Sequence, residues 1–197
     1  MAPLPQIFLV RHGETAWSRS GQHTGRTDVP LITPGEDSAR RLGKRLRRRM
    51  FARVWTSPLQ RAQRTCELAG FGAASETEPD LREWDYGAYE GLKPEEIQRL
   101  RPGWDLFRDG CPEGESVAEA AARAERLIVR LRKVDADVLL FSHGHILRTL
   151  AARWLGLDAS CGRMLVLGTA ALCILGYNHN RNEPALRLWN ETAHIAY

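Results

Sequence analysis

Short apolar runs alternate along the chain with segments in which apolar positions recur at helical spacing. Ile7 to Val10 is a run of four apolar residues, and Val138 to Phe141 is a second run of the same kind. Continuous apolar runs of this length are typical of strands that are covered on both faces. The pattern therefore predicts two buried strands, one near the start of the chain and one after its middle.

Several of the helical segments begin with a recognisable start signal. The signal is a Ser or Thr as N-cap residue, followed by a proline in the first turn or by an acidic or amide capping partner. It occurs at Thr33, Ser57 and Ser116. In the helix predicted to begin at Thr33, the positions expected to face the core are Ala39, Leu42, Leu46 and Met50.

The remaining segments predict shorter elements. Arg53 to Thr56 is expected to form a short strand and Pro94 to Leu100 a short helix, whereas Ala16 to Leu31 has no clean period and is expected to be a long loop. The predicted closing strands are Met164 to Leu167, Ala171 to Gly176 and Ala185 to Trp189.

The alternation of strands and helices predicts the fold class. An α/β chain in this order forms a three-layer α/β/α sandwich around a mainly parallel sheet. We find no internal repeat, low-complexity stretch or linker, and 197 residues suffice for one large core. Residues 1–197 are therefore expected to form a single domain.

Composition and charge narrow the class of protein. The longest apolar runs are too short to span a bilayer, so a cytoplasmic protein without a membrane partner is expected. The net charge of +4 is concentrated in residues 40–53 and 123–133. Both blocks fall on helical patterns, which favours solvated outer faces over a nucleic-acid site. Cys66, Cys111, Cys161 and Cys173 are far apart in the sequence, as in proteins with reduced thiols.

Candidate chemistry lies where the two buried strands end. His12 follows the first strand and His143 the second, and each histidine is followed by glycine. Open α/β folds place ligand sites at the carboxyl ends of their strands. Arg11 stands beside His12 in the sequence. We therefore expect one site built from both strands, containing two imidazoles and a guanidinium.

Two further segments carry candidate groups. Arg61 falls in the first turn of the helix after Ser57, where free backbone N–H groups and the helix dipole favour an anion. Leu81 to Gly91 surrounds Glu83 with aromatic residues, which would desolvate the carboxyl group and raise its pKa, as a general acid requires. An amphipathic strand with exposed acidic residues explains the second segment equally well.

The order of these motifs resembles the histidine phosphatase superfamily. The resemblance is carried by Arg11-His12-Gly13, by the SPLQRAQRT and EWDYG segments, and by SHGH at the second histidine. It implies a phosphoglycerate mutase-like fold and a phosphatase that needs neither a metal ion nor a cofactor. The implied catalytic residues are His12 as the phosphorylated nucleophile, Glu83 as proton donor, and Arg11, Arg61 and His143 around the phosphoryl group. The implied substrate contacts are Thr24, Gly25 and Gly144.

A narrower resemblance concerns the substrate. RHGETAWSRSGQHTGRTDVPL, LREWDYGAYEG, RDGCPEGES, SHGHILR and NEPAL are similar to the branch with sedoheptulose-1,7-bisphosphatase and related acid phosphatases. This similarity implies a small phosphate ester such as a sugar bisphosphate, whose second phosphate needs another cationic contact. The candidates at the expected mouth of the site are His23, Arg26, Arg108 and Arg148. Relatives often dimerise, so a homodimer is also an expectation.

Four alternatives stay open. A cofactor-dependent phosphoglycerate mutase shares the catalytic set, but carries a longer insertion before the second histidine. A metal-dependent hydrolase would use His12, His143 and His145 as ligands, with Arg11 and Arg61 as unfavourable neighbours of a dication. A protein phosphohistidine phosphatase and a basic binding protein are the other two. His145, His179 and His194 are otherwise interpreted as structural.

Overall fold

A computed structural model describes residues 3–195 and has a six-stranded sheet at its centre. The strands are β1 (Ile7–Arg11), β2 (Arg53–Thr56), β3 (Ser75–Thr77), β4 (Val138–Ser142), β5 (Leu172–Tyr177) and β6 (Pro184–Glu191). Their order is β3-β2-β4-β1-β5-β6, in which β3, β2, β4 and β1 are parallel, β5 is antiparallel to β1, and β6 is antiparallel to β5. The prediction of an α/β fold around a mainly parallel sheet is confirmed.

Helices cover both faces of this sheet. They are α1 (Ala16–Ser20), α2 (Thr33–Leu46), α3 (Gln60–Leu68), α4 (Pro94–Leu100), α5 (Leu106–Asp109), α6 (Val117–Leu131) and α7 (Gly144–Trp154). One apolar cluster joins α6 and α7 to the sheet, and a second joins α2 and α3 to its other face. A third cluster, rich in Trp and Tyr, packs segment 84–89 against α4 and α5. The result is three layers with an added aromatic cluster.

Parallel pairing of β1 with β4 brings the two histidines together. Arg11 is paired with Ser142, the last residues of the two strands. The next backbone N–H, that of His12, donates to the Ser142 carbonyl oxygen at 2.9 Å. Because the strands run in the same direction and end in register, His12 and His143 leave the sheet at the same edge.

Some local predictions were wrong. Helix α2 ends at Leu46, so Met50 lies beyond the helix and its buried stripe. Its side chain is 90% exposed. Residues 16–31 contain α1, which Thr15 caps through a reciprocal pair of hydrogen bonds with Ser18. Residues 164–167 are not a strand: Met164 ends a 3₁₀ helix, and the carbonyl groups of Val166 and Leu167 accept hydrogen bonds from the side chains of Trp189 and Arg11.

Helix starts were predicted with mixed success. The capping box of Ser116 and Glu119 on α6 is present as predicted. The N-cap of α2 is Ile32 instead of Thr33, and that of α3 is Leu59 instead of Ser57. The side chain of Ser57 contacts the candidate site instead. The described residues contain no helix that is long and apolar enough to cross a membrane.

Candidate active site

A cavity of about 240 Å³ opens where β1 and β4 end. The residues around it come mainly from the end of β1, from the start of α7, from segment 21–24 and from segment 83–86. The residues predicted for the site that line it are Arg11, His12, His23, Thr24, Glu83, Gly144 and Arg148, whereas Arg61 and His143 are fully buried and are not among the lining residues. Ligands in open α/β sheets bind at this edge, so the position agrees with the fold.

His12 presents an unprotonated ring nitrogen. It follows β1 directly and is 4% exposed. Its Nδ1 lies 2.7 Å from the Gly13 carbonyl oxygen, which can only accept, so the ring proton is on Nδ1 and Nε2 keeps its lone pair. Burial and the charges of Arg11 and Arg61 hold the pKa of His12 well below its ordinary value. A neutral imidazole with a free Nε2 is suited to nucleophilic attack.

The backbone on both sides of His12 is held by buried groups. The His12 carbonyl oxygen accepts from the Ala170 N–H at 2.9 Å. The Gly13 N–H donates to Thr65 Oγ1 at 2.9 Å, and that hydroxyl donates to the Arg61 carbonyl oxygen at 2.6 Å. These contacts fix the main chain from which the imidazole projects.

Arg11 lines the cavity, and not all of its N–H groups have a hydrogen-bond partner in the described chain. Its Nη1 donates to the Leu167 carbonyl oxygen at 2.5 Å, while its buried Nε has no partner in the described chain. A Cβ on Gly144 would lie 3.4 Å from this Nε and 3.7 Å from Glu83 Oε2. Gly144 therefore lies against the Arg11 guanidinium and near the Glu83 carboxyl group, where a Cβ would make ordinary van der Waals contacts. A buried N–H group without a partner is costly, and an anion in the cavity would satisfy it.

Arg61 is fully buried and already holds the neighbouring loop. Its Nη2 donates to the carbonyl oxygens of Thr24 and Gly25 at 3.0 and 2.9 Å, and its Nη1 donates to that of Thr27 at 2.9 Å. Its Nε donates to His143 Nδ1 at 3.1 Å. Since a guanidinium has five N–H groups, one on Nη1 is left for a phosphate. Arg61 was expected to bind the phosphoryl group, but most of its N–H groups already bind the neighbouring loop and His143.

His143 is a neutral imidazole beside His12. Because the Arg61 Nε–H donates to its Nδ1, the ring proton is on Nε2, 2.7 Å from Ser57 Oγ. Burial first, and then the charge of Arg61, hold the pKa of His143 well below its ordinary value. The ring centroids of the two histidines are 5.2 Å apart. The structure brings His12 and His143 together, as predicted. Ser57, which was expected to cap a helix, orients the His143 ring.

Glu83 lies in an irregular segment and reaches the start of α7. Its Oε1 accepts from the backbone N–H groups of Trp84 at 2.9 Å and Ile146 at 3.0 Å, and Oε2 accepts from that of His145 at 3.1 Å. These bonds use three of the four carboxyl lone pairs and leave one on Oε2. The side chain is 6% exposed, so the alternative of an exposed acid on an amphipathic strand was wrong.

Two cavity residues, His145 and Tyr86, were not among the predicted catalytic or substrate-binding residues. The Tyr86 hydroxyl lies 2.5 Å from His145 Nδ1. Burial raises the pKa of Tyr86 well above its ordinary value and lowers the pKa of His145 well below its ordinary value, so this hydrogen bond joins a neutral hydroxyl and a neutral ring. The His145 ring stacks on that of His23 at 6.2 Å. The spacing of His145 two residues after His143 was the available signal.

The loop residues Thr24 and Gly25 differ in what they offer. Thr24 lines the cavity, whereas Gly25 does not, and its N–H donates to the Glu90 carboxylate at 2.9 Å. A Cβ on Gly25 would lie 2.5 Å from the Trp84 carbonyl oxygen. The glycine is therefore required by close packing of two backbones, which corrects its expected role as a substrate contact.

Of the three arginines expected to provide a second cationic contact, the structure places one at the cavity. Arg26 is ion-paired with Asp85 at 2.7 Å on the rim of another depression, and Arg108 is exposed and pairs with Asp109 at 2.7 Å. Neither lines the cavity, which corrects the expectation that both stand at its mouth. Arg148 does line it, because α7 carries it one turn beyond His145. Arg26 lies in a loop and Arg108 on the short helix α5 between two loops, and no periodicity predicts the path of such segments.

No group of three or more His, Cys, Asp or Glu side chains within residues 3–195 is arranged to hold a metal ion. The three histidines of the metal-site alternative face different partners. His143 uses both ring nitrogens, toward Arg61 and Ser57, and His145 uses Nδ1 toward Tyr86.

Comparisons with known sequences identify relatives of this chain. The family model of the histidine phosphatase superfamily (branch 1) matches residues 7–192. An acid phosphatase of Mycobacterium tuberculosis is 38% identical over 92% of this chain and 91% of its own length. Sedoheptulose 1,7-bisphosphatase of Saccharomyces cerevisiae is 37% identical over 78% of this chain and 68% of its own length. A protein of Yersinia enterocolitica named probable phosphoglycerate mutase is 35% identical, with 89% and 86% covered.

A solved structure supports the same relationship. The product of an open reading frame of Mycobacterium tuberculosis superimposes with a TM-score of 0.90 at 37% identity. The similarity covers 95% of this chain and 98% of the other. Sequence and three-dimensional structure therefore lead to the same group of proteins.

Proposed function

This chain belongs to the histidine phosphatase superfamily and is a phosphatase, and we propose that it hydrolyses phosphate monoesters through a phosphohistidine formed on His12. One observation carries the proposal. The His12 ring donates Nδ1–H to the Gly13 carbonyl oxygen, so that the Nε2 lone pair is free, and Arg11 with its partnerless N–H lines the same cavity. A nucleophile thus shares the cavity with an unsatisfied anion-binding group.

The first half-reaction transfers the phosphoryl group to His12. Nε2 attacks phosphorus, the bond from phosphorus to the ester oxygen breaks, and Glu83 gives its proton to the departing oxygen. The backbone N–H groups occupy three carboxyl lone pairs, so the proton to be transferred resides at the fourth, on Oε2. That Glu83 is protonated before the transfer is part of the proposal.

The second half-reaction restores the enzyme. Glu83, now a carboxylate, takes a proton from water, whose oxygen attacks phosphorus and breaks the bond to Nε2. Inorganic phosphate leaves, and Glu83 has regained its proton. During both steps Arg11 and the remaining N–H of Arg61 stabilise charge on the phosphoryl oxygens, and the Nε2–H of His143 joins them when it turns from Ser57 Oγ to the phosphate.

We propose a small substrate with two phosphates, such as a sugar bisphosphate. Arg148 supports this proposal, because its Nε and Nη2 donate to the carbonyl groups of Gly162 and Arg163 while Nη1 has no partner in the described chain. Its guanidinium lies over the Phe107 ring, 4.7 Å from the centroid. His23 donates Nδ1–H to the Leu92 carbonyl oxygen, which leaves Nε2 to accept from a sugar hydroxyl. The name of the yeast relative supports the same class.

The test is phosphate release from a panel of esters in the presence of EDTA, with wild type and His12→Ala compared. The panel contains p-nitrophenyl phosphate, sedoheptulose and fructose bisphosphates, and 3-phosphoglycerate with 2,3-bisphosphoglycerate. Metal-free turnover that His12→Ala abolishes is the expected result, with an acid-labile phosphoenzyme in the wild type. Turnover that survives the substitution, or that requires a metal ion, overturns the proposal.

The panel also separates the mutase from the phosphatase. A phosphoglycerate mutase converts 3-phosphoglycerate to 2-phosphoglycerate with 2,3-bisphosphoglycerate as primer, and releases little phosphate. We expect phosphate release from the sugar bisphosphates instead. Rapid primer-dependent isomerisation without hydrolysis would replace the proposed phosphatase with the mutase.

A further inference from the structure

The guanidinium of Arg123, on α6, contacts the backbone of the segment that carries Glu83. Its Nη1 donates to the carbonyl oxygen of Asp80 at 2.9 Å and also to that of Arg82. Its Nη2 makes a longer contact, 3.4 Å, with the carbonyl oxygen of Glu83 itself. One side chain thus binds three carbonyl groups within four residues.

The segment from Asp80 to Glu83 has few other ways to satisfy these groups. A short 3₁₀ turn ends at Leu81, and residues 82–86 belong to no regular helix or strand. The Leu81 carbonyl oxygen is bound by Ser142 Oγ at 2.6 Å. All four carbonyl groups of the segment therefore accept hydrogen bonds from side chains. These bonds therefore contribute to fixing the path of this irregular backbone.

A buried carboxylate fixes the orientation of the guanidinium. Glu115 accepts from Arg123 Nε at 2.9 Å and from Nη2 at 2.7 Å, and the two side chains are only 14% and 11% exposed. All five N–H groups of Arg123 consequently have an acceptor. The planar fork of arginine suits this arrangement, whereas a lysine ammonium has three donors around one point.

From this geometry we propose that Arg123 is a positioning residue for Glu83. It acts through the main chain, by holding the carbonyl groups on the N-terminal side of Glu83 while the start of α7 binds the carboxylate. The inference rests on the proposed function, in which Glu83 protonates the leaving oxygen. Loss of Arg123 should displace the carboxyl group from that oxygen without touching the nucleophile.

The dependence on the leaving group distinguishes positioning from general damage. p-Nitrophenolate leaves without protonation, whereas a sugar alkoxide requires the proton of a general acid. Rapid-quench measurement of phosphohistidine formation at saturating substrate isolates this first step. The comparison uses p-nitrophenyl phosphate and the best sugar bisphosphate of the panel, and the observed quantity is the ratio of the two rates.

Arg123→Met should slow phosphohistidine formation from the sugar ester by about 10- to 100-fold, since a displacement near 1 Å can cost that much. With p-nitrophenyl phosphate the rate should change by less than about threefold, because the general acid is not needed there. Arg123→Lys should resemble Arg123→Met, because the fork is required and not the charge. If lysine restores the rate, or if both substrates slow equally, Arg123 is not a positioning residue.

Arg126→Met is the matched control. Arg126 lies one turn further along α6 and pairs with the carboxylate of Asp80 at 2.7 Å, on the surface and through the side chain only. Its removal should leave the ratio of rates unchanged. A ratio altered as strongly as by Arg123→Met would attribute the effect to helix–segment packing in general, and would overturn the proposal. Circular dichroism checks that each variant is folded.

A double-mutant cycle with Glu83→Gln links the effect to the acid. If Arg123 acts through Glu83, Arg123→Met should add less than about twofold to the loss already caused by Glu83→Gln. Independent multiplication of the two losses contradicts the inference. Different results would contradict the proposed function: a wild type that forms no phosphohistidine, or an equal effect of Glu83→Gln on both esters.

Discussion

Lowering the pH from 7.5 to 5.5 should destabilise this protein through the two buried histidines of the candidate site, His12 and His143. His12 is 4% exposed and His143 is fully buried, and burial is the largest cause of the lowered pKa of each ring. Both rings are therefore neutral in the folded protein. In the unfolded chain they return to a pKa of about 6.5 and bind protons as the pH falls.

The sign and the size follow from proton linkage. Because the unfolded state binds more protons, this contribution to stability is complete well above pH 6.5 and is lost as the pH falls from there toward the lowered folded pKa. At pH 5.5, one unit below the unfolded value, each neutral histidine costs about 1.4 kcal/mol. His12 and His143 together should account for about 3 kcal/mol, a large part of the stability of an ordinary domain.

The assay is urea unfolding at the two pH values for wild type and for His12→Gln. The variant should lose about 1.4 kcal/mol less than the wild type over this interval, because its side chain does not titrate. His179→Gln, at a histidine whose side chain is 78% exposed, controls for the loss of any histidine. If His12→Gln loses as much stability as the wild type, His12 does not remain neutral in the fold and the reasoning is refuted.

Three further predictions concern the site and its support. Thr65→Val removes the acceptor of the buried Gly13 N–H, and should cost about 1–3 kcal/mol in urea unfolding; an unchanged midpoint would contradict the role given to this bond. Gly13→Ala would place a Cβ 2.4 Å from the Gly35 carbonyl oxygen, so the clash should cost about 1–3 kcal/mol and lower kcat, and a variant with normal kcat and melting temperature would disprove this constraint. Arg148→Met should raise KM for a sugar bisphosphate about 10-fold or more but leave KM for p-nitrophenyl phosphate within about twofold, as expected for the loss of a charged hydrogen bond. Arg108→Met, whose side chain lies away from the cavity, should change neither KM, and equal effects of the two substitutions would refute the assignment.

Local sequence patterns were sufficient for the sheet centre and for the residues that directly follow it. An apolar run such as Val138–Phe141 has few alternatives to a buried strand, and the residue after such a strand lies at its carboxyl end whatever the loops do. His12 and His143 could be placed together for this reason. The long helix α6 was equally predictable, because its capping box and its apolar stripe are local features.

Tertiary structure decided which groups are available and which are already occupied. The sequence identifies Arg61 as a cation in a first turn, but the carbonyl groups of Thr24, Gly25 and Thr27 take most of its donors, and they come from a loop more than thirty residues away. The partners of Ser57 and Arg123 were also decided by the tertiary structure, because hydrogen bonds between distant segments produce no periodic pattern in a sequence. Loop paths, which set these contacts, depend on the packing of the whole chain and not on the residues of the loop alone.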